Sequence, residues 1–127
     1  MRDRRFPELA TWFNAVVEAG LVLVCDLVIL ELTRLAPNQG RALEIADRLA
    51  ALEAIPMPNE LWSRARRTQL ALAANGEHRR VPPVDLLLAS AAEEAGVALV
   101  HYDRDYDRIA AATALHHQWL VPDGTLA

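Results

Sequence analysis

Glu31, Asp85, Asp103 and Asp105 are carboxylates in places where a carboxylate is structurally unusual. Glu31 lies inside the apolar run Leu27 to Leu32, Asp85 follows Pro82-Pro83, and Asp103 and Asp105 come after the apolar segment Val97 to His101. Acids scattered in sequence can converge in space, where they repel one another. The usual reason a protein tolerates that repulsion is a hard divalent cation held through oxygen ligands. The chemistry such a pocket performs is metal-assisted hydrolysis, and the first expectation is that Glu31, Asp85 and Asp103 converge on one metal site.

Each acid also has a plainer account. Glu31 shares a helical stripe with Leu27, Val28 and Leu35, and it can pair with Arg34 three residues on. Asp85 falls in the first turn of a helix, where a negative charge gains ~0.3–1 kcal/mol from the dipole. Asp103 sits between a buried strand and a helix. That is both an N-cap position and the carboxyl edge of a parallel sheet, where α/β sites lie. Their joint placement, rather than any one of them, carries the functional reading.

The elements that must position these acids follow from punctuation and periodicity. Pro7 can open a helix that runs to about Ala19, where Gly20 stops it, and a short strand is expected over Leu21–Val24. Asp26 is the expected N-cap of a helix over Leu27–Ala36, terminated by Pro37 and Asn38. Gly40 opens a helical stretch over Arg41–Leu52 with Leu43, Ala46 and Ala50 on one stripe. Ile55–Met57 reads as a short buried strand, and Asn59 caps a helix over Glu60–Ala74 that Asn75-Gly76 ends. A polar, basic loop leads to Arg80. Pro82-Pro83 then starts a helix over Val84–Ala95, stopped by Gly96. Val97–His101 is the clearest strand, Asp103–Ala112 a helix, and Gln118–Val121 a last strand. Strands separated by helices give an α/β fold with a mainly parallel central sheet flanked by helices, in one domain over residues 1–127.

Composition narrows the class. With 127 residues, 53% hydrophobic and 24% charged, the chain is expected to be globular rather than disordered and to bury a single core as one domain. The longest apolar stretch, Leu21 to Leu32, is interrupted by Asp26 and Glu31 and is too short to span a membrane. No secretory signal follows Met1, and the lone Cys25 permits no internal disulfide, so a reducing cytoplasm is expected. A net charge of -4 excludes a broad basic nucleic-acid surface but leaves room for local clusters such as His78, Arg79 and Arg80. Arg79 and Arg80 are candidates for nucleic-acid phosphate contact or for contact with a protein partner, with an ordinary solvated loop an equal alternative. With no Cys/His ligand spacing zinc is not expected, and His78, His101, His116 and His117 read as structural or surface residues.

Three segments together resemble a known family: Asp26 to Leu32, Val81 to Ala89, and His101-Tyr102-Asp103-Arg104-Asp105-Tyr106-Asp107-Arg108-Ile109-Ala110. Their order and spacing look like the VapC toxins of the PIN-domain family, across nearly the whole chain. The resemblance implies a small Mg2+- or Mn2+-dependent endoribonuclease that leaves a 3′-hydroxyl and a 5′-phosphate. It also implies a VapB-like antitoxin as partner, an RNA substrate and a homodimer. By motif position, Glu31, Asp85 and Asp103 take the family's second, third and fourth acidic places, and Asp105 is the auxiliary acid beside them.

One part of the pattern is not matched. The family opens with an apolar strand carrying Asp followed by a small hydroxyl residue, whereas Asp3 here is flanked by Arg2, Arg4 and Arg5 with nothing apolar before it. The expectation is a PIN-like chain that starts after that strand and cleaves RNA poorly for want of one ligand. The rival reading is a non-catalytic PIN-like binding protein that uses the apolar face of Leu9, Trp12, Phe13 and Val16.

Overall fold

The computed structural model describes residues 23–120 and 122–124. The expected helix Pro7–Ala19 with its Leu9, Trp12, Phe13 and Val16 face, the segment around Asp3, and Leu21, Val22 and Val121 of the expected strands lie outside the described residues. The chain divides into two compact units, Met1–Ile55 and Pro56–Ala127.

In the first unit β1 (Leu23–Val24) leads into α1 (Asp26–Thr33), then α2 (Gln39–Ala50) and β2 (Glu53–Ala54). The two strands pair in parallel with Leu23 opposite Glu53 and Val24 opposite Ala54, and the Ile55 N–H extends the pairing by donating to the Val24 carbonyl at 2.7 Å. Asp26 is the first helical residue rather than the cap. Cys25, buried and extended, holds the cap position without a side-chain bond, because the chain arrives straight from β1. The helix ends at Thr33, three residues short of expectation, and tightens into single turns through Leu35 and Ala36 before Pro37. Asn38 does more than terminate. Its side chain accepts the Arg41 N–H at 2.9 Å and caps α2. The inward stripe of α2 is Ala42, Ile45, Ala46 and Leu49, not Leu43, Ala46 and Ala50: the 3–4 spacing that turns the bulkier Ile45 and Leu49 inward leaves Leu43 exposed. The expected buried strand Ile55–Met57 is displaced to the exposed pair Glu53–Ala54, where parallel register with β1 rather than hydrophobicity sets the position.

The second unit runs α3 (Glu60–Ala73), α4 (Pro83–Ala95), β3 (Leu99–His101), α5 (Asp105–Ala112) and β4 (His117–Trp119). Helix α3 turns Leu61, Ala65, Thr68 and Leu72 inward, a spacing of four, three and four residues that marks one helical face. Asn59 stands at its N-cap without making a side-chain cap bond. Pro82 and Pro83 start α4, as Pro can at the first helical turn, and Gly96 ends it in the left-handed conformation at φ 69°. Leu86, Ala89 and Ala92 of α4 meet Ala65 and Leu72 of α3, Tyr106 and Ile109 of α5, Val81 and Leu115 in the core. Arg64 of α3 bridges Glu93 and Glu94 of α4, the latter at 2.7 Å. Strands β3 and β4 pair in parallel, Leu99 with His117 and His101 with Trp119. β4 begins one residue before Gln118 and closes at Trp119, while β3 begins at Leu99, two residues later than expected.

Each unit thus carries a parallel strand pair with helices in the connections, an α/β arrangement. Ile109, 1% exposed, is the most enclosed large side chain of α5. Ile109→Ala is expected to cost ~2–5 kcal/mol of stability, read as a lower urea midpoint at unchanged slope.

Candidate functional site

Three of the expected acids gather in the second unit. One carboxylate oxygen from each of Asp85, Asp103 and Asp105 lies within 4.8 Å of the others. Asp85 comes from the first turn of α4, one residue before the buried Leu86, so core packing fixes the helix and places the acid at its rim. Asp103 lies two residues beyond the carboxyl end of β3, and Asp105 opens α5.

The turn between β3 and α5 is built by its own acids. Asp103 is not the N-cap, a place held by Arg104, yet its Oδ1 accepts the Asp105 N–H at 2.8 Å, an Asx-type turn that gives one orphan amide of the helix a partner. The Asp103 N–H in turn donates to His101 Nδ1 at 3.2 Å. Asp105 is only 8% exposed, and Arg108, one helical turn on, donates to its Oδ1 at 2.9 Å while lying 3.4 Å from Glu77. A buried carboxylate with a charge-assisted partner is satisfied. Tyr106, buried between them, donates its hydroxyl to Asp85 Oδ1 at 3.1 Å.

Asp85 bears the cost of this crowding. Burial, then the adjoining Asp105 carboxylate, push its pKa up to about 7, with Asp103 adding repulsion and the Tyr106 hydroxyl acting in the opposite sense. The Tyr106 hydroxyl is itself pushed well above its ordinary value by burial and by Asp85. Burial and the neighbouring His117 lower the pKa of His101, which leaves its imidazole neutral near pH 7.

Glu31 is on α1 of the first unit, half-exposed, with Arg34 Nη2 at 3.4 Å from its Oε2. The described geometry therefore groups Asp85, Asp103 and Asp105 and gives Glu31 the local ion pair that its spacing allows. Arg79 and Arg80 are exposed in the turn before α4. Sequence reasoning missed Tyr106, Arg108 and His101 as supports of the cluster. Arg108 could have been found from its three-residue spacing to Asp105 on a helix. The Tyr106 and His101 contacts join residues whose helices and strands meet only through tertiary packing.

An all-oxygen donor set with one member already disfavouring its own negative charge suits a hard divalent cation better than zinc. Comparison with known proteins gives the family. The PIN domain family matches residues 2–112. Ribonuclease VapC18 of Mycobacterium tuberculosis is 40% identical over 122 residues, covering 94% of this chain and 89% of its own length. Ribonuclease VapC51 of the same organism is 38% identical over 120 residues, and Ribonuclease VapC21 is 37% identical over 120 residues, each covering 94% of this chain and 87% of its own. With the family match over residues 2–112 and relatives up to 40% identical along nearly its whole length, this chain belongs to the PIN-domain family, among the VapC toxins.

Proposed function

We propose that the protein is a metal-dependent endoribonuclease, the toxin of a VapBC-type pair, acting as one PIN-like domain on RNA phosphodiesters in the bacterial cytoplasm. The observation that carries this reading is the convergence of Asp85, Asp103 and Asp105 within 4.8 Å, with Asp85 pushed to a pKa of about 7. Asp85 and Asp103 are the proposed principal ligands of Mg2+ or Mn2+, and Asp105, half-engaged by Arg108, is auxiliary. Glu31 is a further proposed ligand by its motif position alone. A divalent ion, when bound, lowers the pKa of a water and stabilises the charge that grows on the scissile phosphate.

The chain's own groups have separable tasks. Tyr106 fixes the Asp85 carboxylate by donating to its Oδ1. Arg108 offsets the charge of Asp105, so the site faces less self-repulsion before a cation arrives. Arg79 and Arg80, exposed beside the start of α4, supply phosphate contacts that position RNA without reading its sequence. A VapB-like antitoxin is the proposed controlling partner, and a homodimer the proposed assembly. Among the described residues no helix is long and apolar enough to cross a membrane.

The deciding experiment incubates the purified chain with 5′-labelled structured RNA and with single-stranded DNA, in Mn2+, in Mg2+ and in EDTA. Cleavage of RNA that EDTA stops, leaving 5′-phosphate ends, is the expected result. Failure in both metals across a broad RNA set, together with no Mn2+ binding, would replace this reading with a non-catalytic binding protein.

A further inference from the structure

We infer that His101 is a positioning residue for the carboxylate cluster: its Nδ1 holds the Asp103 backbone, and its ring backs Tyr106, which holds Asp85. The inference rests on the proposed metal-binding reading of that cluster and adds to it a support outside the acids.

The hydrogen bonds fix the tautomer. Because His101 Nδ1 accepts the Asp103 N–H at 3.2 Å, that nitrogen carries no proton, and the neutral ring must carry it on Nε2. Nε2 lies 2.8 Å from His117 Nδ1, so His101 donates there and His117 accepts. A single direction of donation therefore runs from the Asp103 amide through two imidazoles. The ring is also enclosed. Its centroid is 4.8 Å from Tyr106, 5.1 Å from the nearly coplanar His117 ring, and 5.0 Å from Trp119, and the residue is 8% exposed. Two oriented bonds and three ring contacts hold the imidazole in this orientation.

That rigidity reaches both principal acids. Asp103 is fastened at its main chain by His101 and at its side chain by the Asp105 amide, so its carboxylate has little freedom left. Tyr106, packed against the same imidazole, delivers its hydroxyl to Asp85 at 3.1 Å. One ring thus sets the separation between Asp85 and Asp103, the quantity a metal site depends on most. Outer groups that orient ligands in this way typically change metal affinity by about 10–100-fold when removed.

The same neighbourhood offers a different possibility, since ligand atoms of His101, His117 and Asp107 also lie within 4.8 Å of one another. The hydrogen bonding opposes an ion there. A metal on Nε2 would require the proton on Nδ1, directed at the Asp103 N–H only 3.2 Å away. The trio is better read as a support than as a second metal centre.

The test compares the full chain with H101F, which keeps a ring in the enclosure but has no acceptor, and with H101N, whose side-chain oxygen can take the place of Nδ1. Mn2+ affinity is read by water-proton relaxation, backbone amide exchange by NMR, and folding by thermal melts; H101M replaces H101F if the latter does not fold. H101F is expected to weaken Mn2+ binding about tenfold and to speed exchange at the Asp103 amide, with H101N within about threefold of wild type. Wild-type Mn2+ affinity in H101F, or H101N as weak as H101F, overturns the positioning role alone. No Mn2+ binding by the wild-type chain overturns the metal-site reading, and this inference with it.

Discussion

Asp103→Asn and Asp85→Asn are each expected to lower metal-dependent RNA cleavage about 100-fold or more, the scale on which losing one group that stabilises transition-state charge registers. Asparagine keeps the size of the side chain and, at residue 103, the oxygen that accepts the Asp105 N–H, so the turn into α5 survives while the charge is lost. Asp105→Asn should cost less, since Arg108 already engages one of its two carboxylate oxygens. Asp107→Asn is the control on the same helical turn: it stands outside the acidic trio, and an amide oxygen can still accept from Trp119 Nε1. Single-turnover cleavage at saturating Mn2+ measures all four. Equal losses for Asp107→Asn and Asp103→Asn would show that the first-turn acids serve the helix rather than the chemistry.

The second large effect is on stability without metal. Asp85 titrates near 3.8 in an unfolded chain and at about 7 in the folded one, so between those values the native state holds more protons than the unfolded state. Stability therefore falls as pH rises across that window, is fully present below about pH 4, and is flat above the folded value. A carboxyl this far from full burial is partly screened by solvent, which reduces the loss to about 1–2 kcal/mol. In EDTA, Asp85→Asn should remove this dependence and melt higher than wild type at pH 8, with little difference at pH 4.5. In millimolar Mn2+ the order should reverse, because a cation that binds only the native state stabilises the chain able to hold it. Melts of both proteins at two pH values, with and without metal, give the full pattern; a wild-type chain whose stability in EDTA rises from pH 5 to 8 would contradict it.

Much of this site could be read without coordinates, for identifiable reasons. Pro82-Pro83 and Gly96 bracket α4 through backbone constraints that no tertiary contact overrides, so the first-turn place of Asp85 was visible in the sequence. The step from apolar β3 to acidic α5 was visible for the same reason. The errors cluster where two local signals competed. Asp26 and Asp103 both have the chemistry of an N-cap, but the chain direction out of β1 and the Asx turn at 103 moved each cap by one residue. Glu53–Ala54 became a strand through pairing with β1, and two exposed residues leave no hydrophobic trace of that. The imidazole and tyrosine beneath the acids were hidden differently. His101 and Tyr106 are five residues apart, a spacing that carries no helical or strand meaning, and only the turn between β3 and α5 brings their rings together.

The bridge from Arg64 to Glu93 and Glu94 bears on how the protein responds to ionic strength. It fastens the C-terminal end of α4, the helix whose other end carries Asp85, and of its three side chains Glu93 is the most shielded from solvent. Salt screens exposed pairs such as Arg34–Glu31 and, through counterion release, weakens any phosphate contact made by Arg79 and Arg80. It screens the half-exposed Glu94 arm of the bridge too, but the Arg64–Glu93 arm less. Added salt therefore loosens the hold on a polyanion while leaving the helix that presents Asp85 in place, so loss of RNA affinity and loss of site geometry are separable by salt concentration alone.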